Sequence, residues 1–235
     1  EKQLKKTDIK YEKIYIHPNN HAGYYPGAVP ITLKLLFEVP SGKILGVQAA
    51  GGPGTEKRID VIATVIKFKG TVFDLEELEL TYAPPFGSAK DPVNMAGFVA
   101  SNVLRGDMPI WHWHDIDKIK AENSFILDVR TAGEYQVGTI EGAVNISDLE
   151  LRYRLDEVPK NRNIYVFCEV GFRAYLSTRF LSQMGYSVRN LTGGYKLFKT
   201  AKATTEEIAA ECGTSVEIIE EFIGKKRKIT ENYIE

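Results

Sequence analysis

Residues 164–177 constrain what this chain can be more than any other stretch. Ile164-Tyr165-Val166-Phe167 is a short apolar run of β-forming side chains. Cys168-Glu169-Val170-Gly171-Phe172-Arg173 follows as a loop, and Ala174-Tyr175-Leu176-Ser177 opens a periodic helical pattern. That order predicts strand, loop and helix, with Cys168 at the carboxyl end of a buried strand and the loop closing on a helix N-terminus. Unpaired backbone N–H groups and the helix dipole favour negative charge at such a place, and Arg173 adds a cation. A thiol so placed is favoured as a nucleophilic thiolate. The loop's N–H groups are expected to form a nest around Cys–S⁻ or Cys–S–S⁻, with Gly171 supplying backbone angles closed to other residues. The alternative is a buried structural cysteine; the loop-to-helix setting favours catalysis.

The rest of the composition narrows the classes. At 235 residues and 43% hydrophobic content, one or two domains with sizeable cores are expected. A formal net charge of −1 gives no electrostatic case for nucleic acid or an anionic membrane as the main partner. No apolar run approaches the roughly 20 residues that span a bilayer. The N-terminus EKQLKKTDIK is polar, shows no signal peptide and does not start with Met, which suggests a fragment of a larger protein. Two cysteines make no disulfide framework, so a reducing cytoplasm is expected.

In chain order, DIKYEKIYIH alternates as a strand and HPNNHAGYYPGA reads as a loop. Residues 31–51 give two strands joined at Pro40-Ser41-Gly42. GGPG then opens an amphipathic helix with Ile59, Ile62, Ala63, Ile66 and Val65 on its apolar face. The turn lacks the Gly-Lys-Ser/Thr ending of a phosphate loop. A short acidic helix near 74–79 breaks at Pro84-Pro85. A further helix carries Val93, Ala96, Gly97, Ala100 and Leu104 on one side, and Arg105-Gly106-Asp107 with Pro109 marks a boundary. A hairpin followed by helices without βα alternation indicates an α+β domain.

In the second half, PIWHWHDIDKIKAEN predicts a short strand and a helix capped near Asp115. His112 and His114 share a strand face, but no third ligand lies nearby, so no metal site is assigned and both read as surface or edge residues. FILDV is a buried strand ending in Asp128, with Arg130 two residues on. Asp128 and Cys168 should therefore meet at one edge of a parallel sheet, where α/β sites form. Asp128 either orients the loop or Arg173, or simply joins an Asp128–Arg or Arg130–Glu134 ion pair. The tail reads as two short helices capped at Thr204 or Thr205 and at Thr214 or Ser215, with stops at Gly213 and Gly224. Its spacing is like a helix-turn-helix, but Glu217, Glu220 and Glu221 would repel phosphates, and basic residues come only at 225–228. A docking appendage or linker is expected, with Cys212 packed on the first helix.

FILDVRTAGEYQVGTIEGAVNI (125–146), IYVFCEVGFRA (164–174) and VRNLTGGYKLF (188–198) together resemble the rhodanese domain. The resemblance implies a sulfurtransferase in which Cys168 accepts sulfane sulfur as a persulfide, held by Glu169, Val170, Gly171, Phe172 and Arg173, with Asp128 and Arg130 behind them. Phosphatases and arsenate reductases of related design place five residues between Cys and Arg; here there are four, which suits sulfur better than phosphate. The family usually has His where Thr139 stands, a departure expected to touch packing more than chemistry. Glu169 is more consequential: a carboxylate in this loop should repel dianionic thiosulfate and suits a persulfide donor better.

HAGYYPGA (21–28), KRIDVIA (57–63) and LTYAPPFGSAKDPVNMAGFVA (80–100) resemble the C-terminal dimerisation domain of FAD-dependent pyridine nucleotide-disulfide reductases, and within them the coenzyme A-disulfide reductase branch. That resemblance implies a homodimer in which Tyr24 and Tyr82 assist substrate reduction in trans. It also implies that Lys90, and more weakly Asn20, contact coenzyme A, and that Pro84, Pro85 and Phe86 lie near the partner's flavin. A phenol suits such a site because it can donate a hydrogen bond to a leaving thiolate. No Gly-x-Gly-x-x-Gly follows a strand. The resemblance implies FAD, NAD(P)H and coenzyme A as cofactors of a longer enzyme, with none bound by this chain, and the reductase reaction is not expected of it alone.

The reading is an α+β dimerisation domain with an antiparallel sheet over 1–108, an α/β rhodanese domain with a parallel sheet over 109–200, and a helical tail over 201–235. Persulfides, polysulfides or coenzyme A disulfide are the expected substrates. A non-catalytic dimerisation and docking module with a rhodanese-like pocket is the rival reading.

Overall fold

A computed structural model describes residues 1–221. The chain divides into two compact units, residues 1–197 and the tail from residue 198. The first unit holds two sheets of opposite design.

The N-terminal sheet is antiparallel: β1 (Tyr11–Ile16), β2 (Ile31–Glu38) and β3 (Ile44–Gly51) lie in sequence order. Ile31, Leu33, Leu35 and Phe37 recur at the strand period of two, and all are fully buried. Onto that face pack α1 (Thr55–Lys67), α2 (Val72–Glu77) and α3 (Pro92–Leu104). The acidic helix starts two residues earlier than expected because Thr71 caps it. The Thr71 hydroxyl accepts from Asp74 N (3.4 Å), while the Asp74 carboxylate accepts from Thr71 N (2.6 Å). Asp91 and Asn94 cap α3 in the same reciprocal way, with Pro92 at its first turn. Gly97 lets α3 ride close on α2: a Cβ there would stand 2.7 Å from Glu76 N. The expected face of α1 needs correction. Ile62 is fully buried and Val61, Val65 and Ile66 are partly so, but Ala63 is exposed and Arg58 lies at the core.

The second sheet is parallel. Its strands are β4 (Ile110–Trp111), β5 (Phe125–Asp128), β6 (Val144–Asn145), β7 (Ile164–Phe167) and β8 (Val188–Leu191), in the spatial order β4-β8-β7-β5-β6. The strands alternate in sequence with α4 (Ile116–Ala121), α5 (Ala132–Val137), α6 (Phe172–Gln183) and α7 (Gly194–Lys202). Every residue of β5 and β7 is buried, as expected for central parallel strands covered on both faces. Asp128 pairs in register with Phe167, so Asp128 and Cys168 end at one sheet edge.

Because β4 ends at Trp111, His112 and His114 do not share a strand face. Their rings meet edge-on at 5.2 Å, and His112 is half-buried with Nε2 2.9 Å from the Glu12 carboxylate. Asp115 accepts from His112 N (2.8 Å), closing the short turn at 113–115 rather than capping α4.

In the tail, Thr204 and Glu207 cap α8 (Thr205–Cys212) and Gly213 ends it in the left-handed region. Residues 216–221 are again helical. Gly224 and the basic run at 225–228 lie outside the described residues. Cys212 is exposed, which corrects its assignment to packing. Among the described residues, no helix is long and apolar enough to cross a membrane.

Candidate active sites

Cys168 is 1% exposed beneath its loop, and its Sγ accepts a hydrogen bond from Gly171 N at 3.2 Å. Gly171, at φ +105°, is the residue from which α6 departs. Among the described residues that is the one N–H contact on the sulfur, where the sequence predicts a nest of several. Val170 and Phe172 are exposed on the rim.

The loop is braced from behind by the turn at Thr192-Gly193-Gly194. Tyr195 N donates to Cys168 O (2.8 Å) and Lys196 N to Glu169 O (3.0 Å), so the first N–H groups of α7 bind the carbonyls of the Cys168 loop. β1 in turn holds that turn: Tyr15 N donates to Thr192 Oγ1 (2.8 Å), and His17 Nε2 lies 3.0 Å from Gly193 O. Burial pushes the His17 pKa down to about 4, so the ring is neutral near pH 7. Gly193 O can only accept, which places the proton on Nε2 and leaves Nδ1 to accept from the Thr32 hydroxyl at 2.9 Å.

Two guanidinium groups order the loop's charges. Arg130, almost fully buried, donates to Asp128 (2.8 Å), to Gly138 O (2.6 Å) and to Glu169 (3.3 Å). It also stacks 4.2 Å from the Tyr195 ring centre. Burial works against its charge, but Asp128 and Glu169 outweigh burial and raise its pKa. Asp128 thus orients the loop through Arg130 and Glu169, not through Arg173. Thr139 Oγ1 donates to Asp128 (2.9 Å), so that departure from the family pattern is filled by a hydrogen bond rather than by packing alone.

Arg173 grips Glu134 with two bonds, 2.8 and 2.6 Å. Glu134 is held down at about 2 by Arg173, assisted by the N–H and hydroxyl of Thr131. A depressed carboxylate stabilises the fold above its ordinary value of 4.5 and loses that contribution as pH falls toward about 2. The pair is partly exposed, so Glu134→Gln should cost about 1 kcal/mol above pH ~5. Thermal unfolding across pH should show that difference closing on acidification. A gap constant down to pH ~2 would refute it.

The second cluster lies in the N-terminal half. Tyr24 and Tyr82, 58 residues apart, join hydroxyl to hydroxyl at 2.6 Å while remaining 76% and 47% exposed. The bond from Tyr82 raises the Tyr24 pKa, keeping its phenol protonated. Phe86 is 70% exposed on the turn after Pro84 and Pro85, and Gly87 O accepts from Ala22 N (2.9 Å), tying the two tyrosine-bearing loops together. Lys90 is exposed, 5.6 Å over the Phe98 ring, and among the described residues no carboxylate pairs with it. Asn20, by contrast, is buried and has a structural part. It is 7% exposed, its amide donates to Pro53 O (3.0 Å) and accepts from Val29 N (3.0 Å), so it ties its loop to the turn before α1.

Arg58 organises this cluster, and the sequence analysis missed it. At 1% exposure it donates to Asp91 (2.7 Å), Asn20 O (2.7 Å), Gly54 O (3.0 Å) and Phe86 O (3.5 Å). The available signal was an arginine at the i−4 position from buried Ile62. No three His, Cys, Asp or Glu side chains among the described residues are placed to hold a metal.

Residues 1–92 match the pyridine nucleotide-disulphide oxidoreductase dimerisation domain, and residues 111–201 match the rhodanese-like domain. The chain is therefore a reductase dimerisation domain followed by a rhodanese-like domain, the pairing that matches the C-terminal part of rhodanese-bearing coenzyme A disulfide reductases. The reduced Bacillus anthracis CoADR-RHD is 50% identical and superimposes with a TM-score of 0.83 over 85% of this chain and 36% of its own. The NAD-dependent persulfide reductase from A. fulgidus is 36% identical, with a TM-score of 0.74 over 83% and 35%. The coenzyme A disulfide reductase of Staphylococcus epidermidis is 41% identical over 98 residues, 42% of this chain and 22% of the relative. The chain thus spans about a fifth of the curated relatives and about a third of the solved ones.

Proposed function

We propose that this chain is the sulfur-carrying, dimer-forming part of a flavin-dependent persulfide, polysulfide or coenzyme A disulfide reductase. The observation that carries the reading is Cys168: buried, at the carboxyl edge of the parallel sheet, with its sulfur under the N–H of a left-handed glycine. The Cys168 thiolate attacks the outer sulfur of a persulfide donor. The donor's S–S bond breaks, its thiolate leaves, and Cys168 keeps the sulfur as Cys–S–S⁻. An acceptor thiolate then takes the terminal sulfur and releases the Cys168 thiolate, so the cycle needs no outside oxidant. Around the loop, Asp128, Glu134 and Glu169 face Arg130 and Arg173, which leaves one excess negative charge. That balance disfavours thiosulfate and supports a persulfide donor.

The Tyr24–Tyr82 pair supports the reductase half. Two exposed, mutually bonded phenols present a proton donor to a partner subunit's site, with Lys90 for coenzyme A phosphates and Phe86 toward the flavin. Flavin and NAD(P)H, bound elsewhere in the longer homodimeric enzyme, supply the electrons for reduction.

Intact mass after incubation with glutathione persulfide should show one added sulfur, and Cys168→Ser should gain none. Thiosulfate should load poorly. Absence of sulfur gain from every persulfide donor would overturn the sulfurtransferase reading in favour of a docking module.

A further inference from the structure

β1 is an edge strand of the antiparallel sheet, so the N–H and C=O groups on its outer side have no ladder partner in that sheet. The rhodanese-like domain covers that edge at three places. His112, just past β4, reaches Glu12 at 2.9 Å. Tyr15 N donates to Thr192 Oγ1 at 2.8 Å, and His17, one residue past β1, reaches Gly193 O at 3.0 Å. Thr192 is 4% exposed, and its own N–H donates to Trp111 O (3.1 Å). Gly193 lies hard against the strand: a Cβ on it would stand 2.9 Å from the Tyr15 Cβ.

His17 is the member of this contact that needs a particular side chain. A neutral imidazole offers one donor and one acceptor from a rigid ring. The donor goes to Gly193 O and the acceptor takes the Thr32 hydroxyl of β2 (2.9 Å), so the ring is anchored in the first sheet and bound to the turn of the second domain. From Gly193 the path to sulfur is short. A Cβ on Gly194 would stand 2.7 Å from Cys168 O, and Tyr195 N donates to that carbonyl at 2.8 Å. A shift of the turn is therefore a shift of Cys168.

We propose that His17, together with Thr192, is a positioning residue for Cys168, so that an edge strand of the dimerisation domain forms part of the sulfur-loading site. The proposal deepens the sulfur-transfer reading and rests on it for the reaction that is tuned.

The test uses the full chain with Cys212→Ser, so that Cys168 is the cysteine that reports. Sulfur loading from glutathione persulfide is followed by intact mass across donor concentrations, and Cys168 alkylation by iodoacetamide is followed in parallel. Thr192→Val keeps the side chain's shape and removes the acceptor for Tyr15 N. His17→Phe keeps a ring and removes both nitrogen contacts. Each should lower the maximal loading rate about tenfold, the scale of one hydrogen bond spent on geometry, with the half-saturating donor concentration within about twofold of the parent. Alkylation should change about twofold or more in the same variants. His17→Gln, whose amide N–H can replace Nε2–H, should load within about threefold of the parent. Glu12→Ala cuts the third edge contact without touching the turn and should load like the parent. Loading and alkylation at the parent's rates in Thr192→Val would overturn the proposal, even where His17→Phe fails to fold. So would equal losses in His17→Gln and His17→Phe, or in Glu12→Ala and Thr192→Val, since general packing of the two domains would then set the rate. If the parent itself takes up no sulfur, the sulfur-transfer reading falls, while the alkylation rates still decide the part that His17 plays.

Discussion

Replacing Arg58 by alanine should destabilise the first unit by about 3–5 kcal/mol, the cost of leaving one member of a buried ion pair uncompensated. Both members are sealed from solvent, Arg58 at 1% and Asp91 at 3% exposure. Water therefore cannot take over the carboxylate when the guanidinium is gone. The loss reaches further than one pair, because Arg58 also satisfies the carbonyls of Asn20, Gly54 and Phe86. The Asn20 and Phe86 carbonyls belong to the loops that carry Tyr24 and Tyr82, so the tyrosine pair should loosen with them. Arg58→Lys keeps the charge but loses the fork that reaches four acceptors, and should recover only part of the stability. Urea unfolding of the three proteins measures this. A loss below about 1 kcal/mol for alanine would mean that the ion pair offsets little more than its own desolvation.

Both architectures follow from patterns visible in the residues. Ile31, Leu33, Leu35 and Phe37 alternate and become a half-buried antiparallel strand, while the continuous apolar runs 125–128 and 164–167 become parallel strands covered on both faces. Cys168 and Asp128 come together at one sheet edge as expected, because strand ends are local signals. Partner choice was not local. Arg173 pairs with Glu134 across 39 residues and Arg130 reaches Glu169 across another 39, so no spacing rule could assign either. The polarity of α1 misled for the same reason: Arg58 reads as a surface residue until Asp91 is brought beneath it. The structural part that Asn20 plays was not legible either, because its amide donates to Pro53 O, 33 residues away, while accepting from Val29 N.

Gly194→Ala should lower sulfur transfer by about 100-fold, the scale expected when a reacting atom is displaced by roughly an ångström. Gly194 adopts φ +60°, and a Cβ on it would stand 2.4 Å from Glu169 O and 2.7 Å from Cys168 O. Those atoms belong to the backbone of the Cys168 loop, so no side-chain rotation relieves the contact. Either the loop or the start of α7 has to move, and with it the bonds from Tyr195 N and Lys196 N that set the height of Cys168. Gly142→Ala is the matched control, at φ +84° with nothing within 4 Å of its Cβ. It carries only the left-handed backbone cost of about 1–2 kcal/mol and should leave transfer unchanged. The comparison therefore separates strain from displacement. If both variants transfer sulfur like the parent while unfolding equally early, the Gly194 contact is absorbed elsewhere and the turn does not position the cysteine. If Gly194→Ala alone loses transfer, the close approach of α7 to the Cys168 carbonyl is what holds the sulfur in place.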